Sequence, residues 1–194
     1  MNTRTLLTAE QFAENRFELP DGGRWVELVN GEVVILDSPG VEHGDAVLNL
    51  SKMLASHLQD PEADDEGYVC YDLGLVVSRN PDTVHFPTMS YLVGGDRFSQ
   101  ADETMTESPP ALVVEIASTN LRRRDMSSRV KAYHALGVEL VWVADPIGKN
   151  LHVTEPGKPS KKLSSHHTLS GGPVLPGFKV RVGRLFAEPT WWLG

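Results

Sequence analysis

A single cysteine, Cys70, stands among 194 residues, so no internal disulfide can form, and its strand-like setting is that of a small buried hydrophobe in a reducing compartment. No apolar run approaches the roughly 20 residues that a membrane-crossing helix needs. Met1 to Leu7 lack the long apolar stretch and small-residue cleavage site of a secretory leader. The expectation is a soluble, cytoplasmic protein without membrane contact. Positive charge is also scarce. A net charge of −8 repels a polyanion on average, so contact with nucleic acid would need a local basic patch. Arg122-Arg123-Arg124 is such a patch, although its plain reading is the solvated start of a helix. Internal repeats and linkers are absent from the sequence. The length suits one hydrophobic core, and we expect one domain over 1–194, with its core at about 7–186 and a tail at 187–194.

What is present alternates between helical and strand patterns. Thr8-Ala9-Glu10-Gln11 has the layout of a capping box, so a short helix should start there and end before Pro20. Arg24 to Val29 and Glu32 to Leu36 flank Asn30-Gly31, the pair that most readily takes the positive φ angles of a tight turn, which predicts a β-hairpin. Val47, Leu50, Leu54 and Leu58 recur at helical spacing and predict an amphipathic helix from about His43 to His57. Asp60 to Glu66 reads as a surface loop. Tyr68 to Val77 and Val84 to Val93 read as a strand pair, with Pro87 marking irregular pairing. Gly94 to Pro110 reads as a loop with one helical turn. Ala111 to Ala117 and Leu140 to Ala144 are strands covered on both faces, joined through a helix from about Arg124 to Leu136 that Gly137 ends. They should form the parallel centre of a mixed sheet, with antiparallel edge strands after Pro146.

Glu115 is the exception in the apolar run Leu-Val-Val-Glu-Ile-Ala. An unpaired buried charge costs several kcal/mol, so this carboxylate either pairs with a nearby Arg or Lys or serves as a metal ligand or general base. Ser118, Thr119, Asn120 and Asp125 follow at the carboxyl end of the strand, where α/β sheets form their clefts. Lys131 sits on the flank of a stripe made by Met126, Val130 and Tyr133, and a long lysine there could reach the strand end. Taken alone, it is a solvated lysine. His166-His167 have no other ligands at metal spacing. Trp191-Trp192 carry no catalytic logic and suggest a dimer contact.

These pieces resemble a known family. The likeness rests on Leu7 to Phe12, Trp25 to Glu32, His43-Gly44, Pro110 to Ile116, Arg123-Arg124-Asp125, Lys131-Ala132-Tyr133, Gly137-Val138, Val141 to Pro146 and Leu175 to Phe178. Together they are similar in order and spacing to the Uma family of restriction endonucleases, a branch of the PD-(D/E)XK nuclease-like superfamily. The resemblance implies a restriction-endonuclease-like α/β fold and Mg²⁺-dependent hydrolysis of a DNA phosphodiester. It implies Glu115 as an acidic metal ligand, Lys131 as the helix-borne catalytic lysine and Glu27 as a further acidic group. His43, Arg123 and Arg124 become substrate contacts, with a helix-start hydrogen bond as the equal alternative for His43.

The first acidic position departs from the family pattern, because Pro87-Thr88 stands where the resemblance implies Pro-Asp. A neutral hydroxyl is a weaker ligand for a hard cation. Pro81-Asp82, six residues earlier, reads as a turn. Two functions follow as expectations. One is a Mg²⁺-dependent endonuclease working through Glu115 and Lys131, weakened or inactive through Thr88, with Glu27 and either Asp82 or Asp125 compensating for the lost ligand. The other is an inactive nuclease-fold module that binds nucleic acid or a protein partner. A homodimer is expected in either case. A third expectation is a structural protein in which Glu115 and Lys131 pair.

Overall fold

Thr8 opens the first helix as the sequence predicts. In the computed structural model, which describes residues 6–59, 67–94 and 103–188, the Thr8 side chain accepts from the Gln11 backbone and the Gln11 side chain accepts from the Thr8 backbone. Helix α1 spans Ala9–Asn15. The Asp60 to Glu66 loop, residues 95–102 of the Gly94 to Pro110 segment, and Trp191-Trp192 lie outside the described residues.

Asp82 completes the start of α1 from 73 positions away. Its Oδ2 accepts from the Ala9 backbone at 2.8 Å and from Arg79 at 2.8 Å, and its Oδ1 accepts from the Asn80 backbone at 3.1 Å. The turn expected at Pro81-Asp82 is therefore also a long-range cap, and its carboxylate is spent there. Removing the acceptors leaves a buried N–H unpaired, which costs about 1–3 kcal/mol. Asp82→Ala should lower the unfolding free energy by about that amount in urea titration, and Asp82→Asn should lose less; equal stability of Asp82→Ala and wild type would contradict this role.

The hairpin comprises β1 (Val26–Val29) and β2 (Glu32–Ile35), turning through Asn30 and Gly31 at φ 52° and 76°. Helix α2 (Val41–Leu58) follows. The next two apolar runs are not one simple pair. Each breaks in the middle, giving β3 (Gly67–Cys70), β4 (Gly74–Ser78), β5 (Thr83–His85) and β6 (Met89–Val93). β4 pairs with β5 in one sheet, whereas β3 pairs with β6 in another. The breaks have local causes: Asp72 has φ 55°, and Pro87 has no N–H to give a ladder. Among the described residues of the Gly94 to Pro110 segment there is no helical turn, and a two-residue strand β7 (Met105–Thr106) lies parallel to β4.

β8 (Leu112–Ile116) and β9 (Leu140–Asp145) pair in parallel, with helix α3 (Asn120–Leu136) between them. Thr119 caps α3 through the Arg122 backbone, and Gly137 ends it at φ 115°. β10 (Asn150–Thr154) and β11 (Lys161–Ser164) extend the sheet antiparallel, and β12 (Thr168–Gly171) and β13 (Leu175–Arg181) form a separate pair. The sheet orders are β11-β10-β9-β8-β6-β3 and β2-β1-β5-β4-β7. The protein is thus mixed α/β, with the parallel pair at the centre of the larger sheet.

Strand alternation sorts the core. Leu112, Val114 and Ile116 of β8 pack with Leu50 and Leu54 of α2, while Val113 and Ala117 pack with Met126 and Tyr133 of α3. Glu115 shares the second face. Val26 and Leu28 of β1 pack with Phe12 of α1, which turns Glu27 to the opposite side. Leu75 of β4 joins the α3 side. Helix α3 therefore covers the junction of both sheets, where Glu27 and Glu115 meet. No described helix is long and apolar enough to cross a membrane.

Candidate functional site

Glu115 is fully buried and Glu27 is 2% exposed. Neither carboxylate is unpaired. Glu115 Oε1 accepts from Arg129 Nε at 2.9 Å, Arg129 Nη2 at 2.6 Å and Tyr133 Oη at 2.5 Å, and its Oε2 accepts from Arg122 Nη1 at 2.8 Å. Glu27 Oε1 accepts from Arg129 Nη2 at 2.9 Å and from the Phe86 backbone at 3.0 Å, and its Oε2 accepts from Arg129 Nη1 at 2.5 Å. The Phe86 N–H is available because the β5–β6 ribbon breaks at Pro87. His85 Nδ1 lies 3.3 Å from Glu27 Oε2 and 3.2 Å from Arg129 Nη1.

Arg129 is the hub, bridging both carboxylates with one planar guanidinium while Tyr133 donates to Glu115 and accepts from Arg129 Nη2. The fork geometry of arginine allows this, and the single ammonium of lysine does not. Burial pushes both glutamate carboxyls upward, but the guanidiniums outweigh it. Arg129 and Arg122 hold Glu115 below its ordinary range, and Arg129, helped by His85, holds Glu27 well below. Burial works to lower the Arg129 value, yet Glu115 and Glu27 keep it firmly charged. Two negative and two positive groups thus form a balanced buried cluster.

Helical spacing explains the assembly. Residues 7 and 11 positions after Arg122 return to within about 20° of its direction, so Arg122, Arg129 and Tyr133 form one stripe. Lys131 is about 180° from Arg122 on the same wheel. It is exposed and lines a different cleft, with Ala117, Met126 and Val143. The structure therefore corrects the pairing expected for Lys131: the helix residues that meet Glu115 are Arg122, Arg129 and Tyr133.

The three arginines that begin α3 diverge. Arg122 is buried in the cluster, Arg123 lies beside Asp145 at 3.4 Å in the Lys131 cleft, and Arg124 is exposed against Asp125. Thr88 is half-buried, one step beyond the last β6–β8 partners, Met89 and Val114, which places it across from Glu115 in register. Asp125 lines a cleft of about 370 Å³ beside the cluster, together with Asn30, Thr83 and Ser128.

His43, at the start of α2, lies 3.0 Å from Ser118 Oγ through Nδ1 and meets the Trp25 ring edge-on at 5.8 Å. Burial, reinforced by Arg122 and opposed by Glu115, lowers its pKa to about 4. The ring is neutral at pH 7. Its folded value lies below the unfolded 6.5, so between these values the unfolded chain binds more protons and stability rises with pH. The glutamates add stabilisation that is complete above about pH 4.5 and is lost as pH falls through their lower folded values. An NMR titration should place the His43 midpoint near 4, and His43→Asn should flatten the stability slope between about pH 4 and 6.5; a midpoint at 6.5 would refute this.

Mg²⁺ requires several oxygen ligands with open lone pairs in near-octahedral geometry. Here each carboxylate oxygen already accepts from protein donors, two guanidiniums balance the two charges, and Thr88 offers a neutral hydroxyl. Among the described residues no group of three or more His, Cys, Asp or Glu is arranged to hold a metal. In this arrangement the residues do not fit a resident Mg²⁺.

Comparison with known proteins gives a consistent result. The Uma2 family, described as "Putative restriction endonuclease", matches residues 10–183. A crystal structure of a "putative nuclease belonging to DUF820" from Anabaena variabilis ATCC 29413 superposes with a TM-score of 0.74 at 14% identity, covering 93% of this chain and 97% of that one. The similarity to that structure establishes the fold. Comparison with curated proteins gives no match.

Proposed function

Because the chain belongs to the Uma2 family, we propose that it engages a nucleic-acid phosphodiester at the cleft beside Glu27 and Glu115, with metal-dependent hydrolysis strongly weakened. DNA is the substrate that the family description suggests. The observation that carries this reading is the engagement of every oxygen of both carboxylates by Arg122, Arg129, Tyr133 and the Phe86 backbone. A phosphodiesterase of this kind relies on a hard cation that stabilises charge on phosphoryl oxygens and lowers the pKa of a water. A balanced cluster has no net negative charge to attract that cation. The same bonds disqualify Glu27 and Glu115 as general bases, since a carboxylate held below its ordinary range is a poor proton acceptor.

In this reading Thr88 stands where the first acidic ligand would be, Arg129 holds the place expected of the catalytic lysine, and neutral His43, bonded to Ser118, senses the charges of Arg122 and Glu115. A second reading, a module that binds nucleic acid or a protein partner without cutting, is compatible with the same charge balance. Supercoiled plasmid and single-stranded DNA incubated with Mg²⁺ or Mn²⁺ test both. The expected result is slow or absent divalent-dependent nicking with retained DNA binding. Rapid multiple-turnover cleavage by the wild type would sink both readings.

A further inference from the structure

On the other side of α3 lies a second cleft, bounded by α3 and by strands β9 and β10, of about 520 Å³, a size typical of small-ligand sites. Its floor is apolar, made by Ala117, Met126, Val130 and Val143. Its rim is cationic. Arg123 and Lys158 lie against Asp145 at 3.4 Å and Glu155 at 2.5 Å, whereas Lys131 has no acidic partner among the described residues. His134, Thr154, His152 and Ser160 supply polar edges above the floor. His134 Nε2 is 3.3 Å from Thr154 Oγ1, and His152 Nδ1 is 3.5 Å from Ser160 Oγ.

We propose that this cleft binds a nucleotide unit, with the base on the apolar floor and the phosphate at Lys131 and Arg123. Three features select that chemistry. A flat base has apolar faces and polar edges, which match an apolar floor bordered by imidazole and hydroxyl groups. An acyl chain has no polar edge to meet those groups. One cleft cation without an acidic partner among the described residues, in a chain of net charge −8, complements one phosphate better than a polyphosphate. The inference draws on the family reading only in choosing nucleotides, and the site is separated from Glu27 and Glu115 by the helix itself. Lys131, surplus at the buried cluster, thereby gains a role as a phosphate contact.

The unit can be a free mononucleotide or part of a strand, and the same experiment distinguishes these. Titrations in EDTA, followed by amide NMR, would use AMP, adenosine, inorganic phosphate and a ten-residue oligothymidylate. AMP should bind saturably with shifts around Val130 and Val143, and adenosine and phosphate should each bind at least about tenfold more weakly. Lys131→Glu should weaken AMP by about tenfold or more through charge reversal, and Ser127→Trp should block the cleft. Tighter binding of the oligonucleotide, in competition with AMP, identifies a strand; binding of AMP alone identifies a free nucleotide. Circular dichroism confirms that both variants remain folded. No saturable binding of either ligand to the wild type, or binding unchanged in both variants, overturns the proposal. No cleavage is read, so this result is independent of whether the Glu27–Glu115 cleft hydrolyses DNA.

Discussion

Arg129→Met should lower the unfolding free energy by about 3–5 kcal/mol, the cost of leaving a buried charge without its partner. The side chain is only 5% exposed, and among the described residues it alone hydrogen-bonds to both Glu27 and Glu115. Methionine fills much of the same volume, so the loss isolates the charge and its hydrogen bonds. After the substitution Arg122 still reaches Glu115, but it stands 3.9 Å from Glu27, so Glu27 keeps only the Phe86 N–H and the His85 ring. Arg123→Met provides the contrast. Arg123 is half-exposed and lies 3.4 Å from Asp145, a pair worth about 0–1 kcal/mol. Urea titration of the two variants at pH 7 should separate them clearly. A loss below about 1 kcal/mol for Arg129→Met would mean that the cluster is not the electrostatic centre of the fold.

The second large effect concerns the metal. Thr88→Asp alone should give little gain, because it adds a carboxylate beside two others whose oxygens remain occupied by arginine. Combining Thr88→Asp with Arg129→Lys changes two things. Lysine is a point charge that cannot fork across Glu27 and Glu115, so carboxylate oxygens are freed, and the added aspartate makes the group net negative. Mn²⁺ binding and divalent-dependent plasmid nicking should both appear in the double variant. Its cleavage should exceed that of wild type by on the order of 100-fold, in keeping with the several kcal/mol a bound metal supplies. Equal nicking by the single and double variants would show that Arg129 does not guard the carboxylates.

Much of this architecture was legible before any coordinates. The capping box at Thr8, the Asn30-Gly31 turn, the α2 stripe and the parallel β8–β9 pair all rest on local patterns. Glu115 announced itself as the one carboxylate in an apolar strand. The arginine cluster was not legible, for a geometric reason. Successive helix residues point about 100° apart, so Arg122, Arg123 and Arg124 enter three environments even though the sequence presents them as one basic patch. The spacing of Arg122, Arg129 and Tyr133 was the available signal. It was obscured by Met126 and Val130, which draw an apolar stripe that includes Tyr133 and makes Lys131 look like its flank. The split of Tyr68 to Val77 and Val84 to Val93 between two sheets was hidden similarly. Asp72 and Pro87 mark the breaks, but the apolar runs around them look continuous.

The charge-balanced cluster is the centre of this account, and Mn²⁺ titration of the wild type, followed by electron paramagnetic resonance, tests it most directly. The predicted result is no stoichiometric binding at Mn²⁺ concentrations up to about 1 mM, because the oxygens a cation needs are already occupied. One Mn²⁺ bound per chain below about 100 μM, and lost in Glu115→Gln while the protein remains folded, would contradict it.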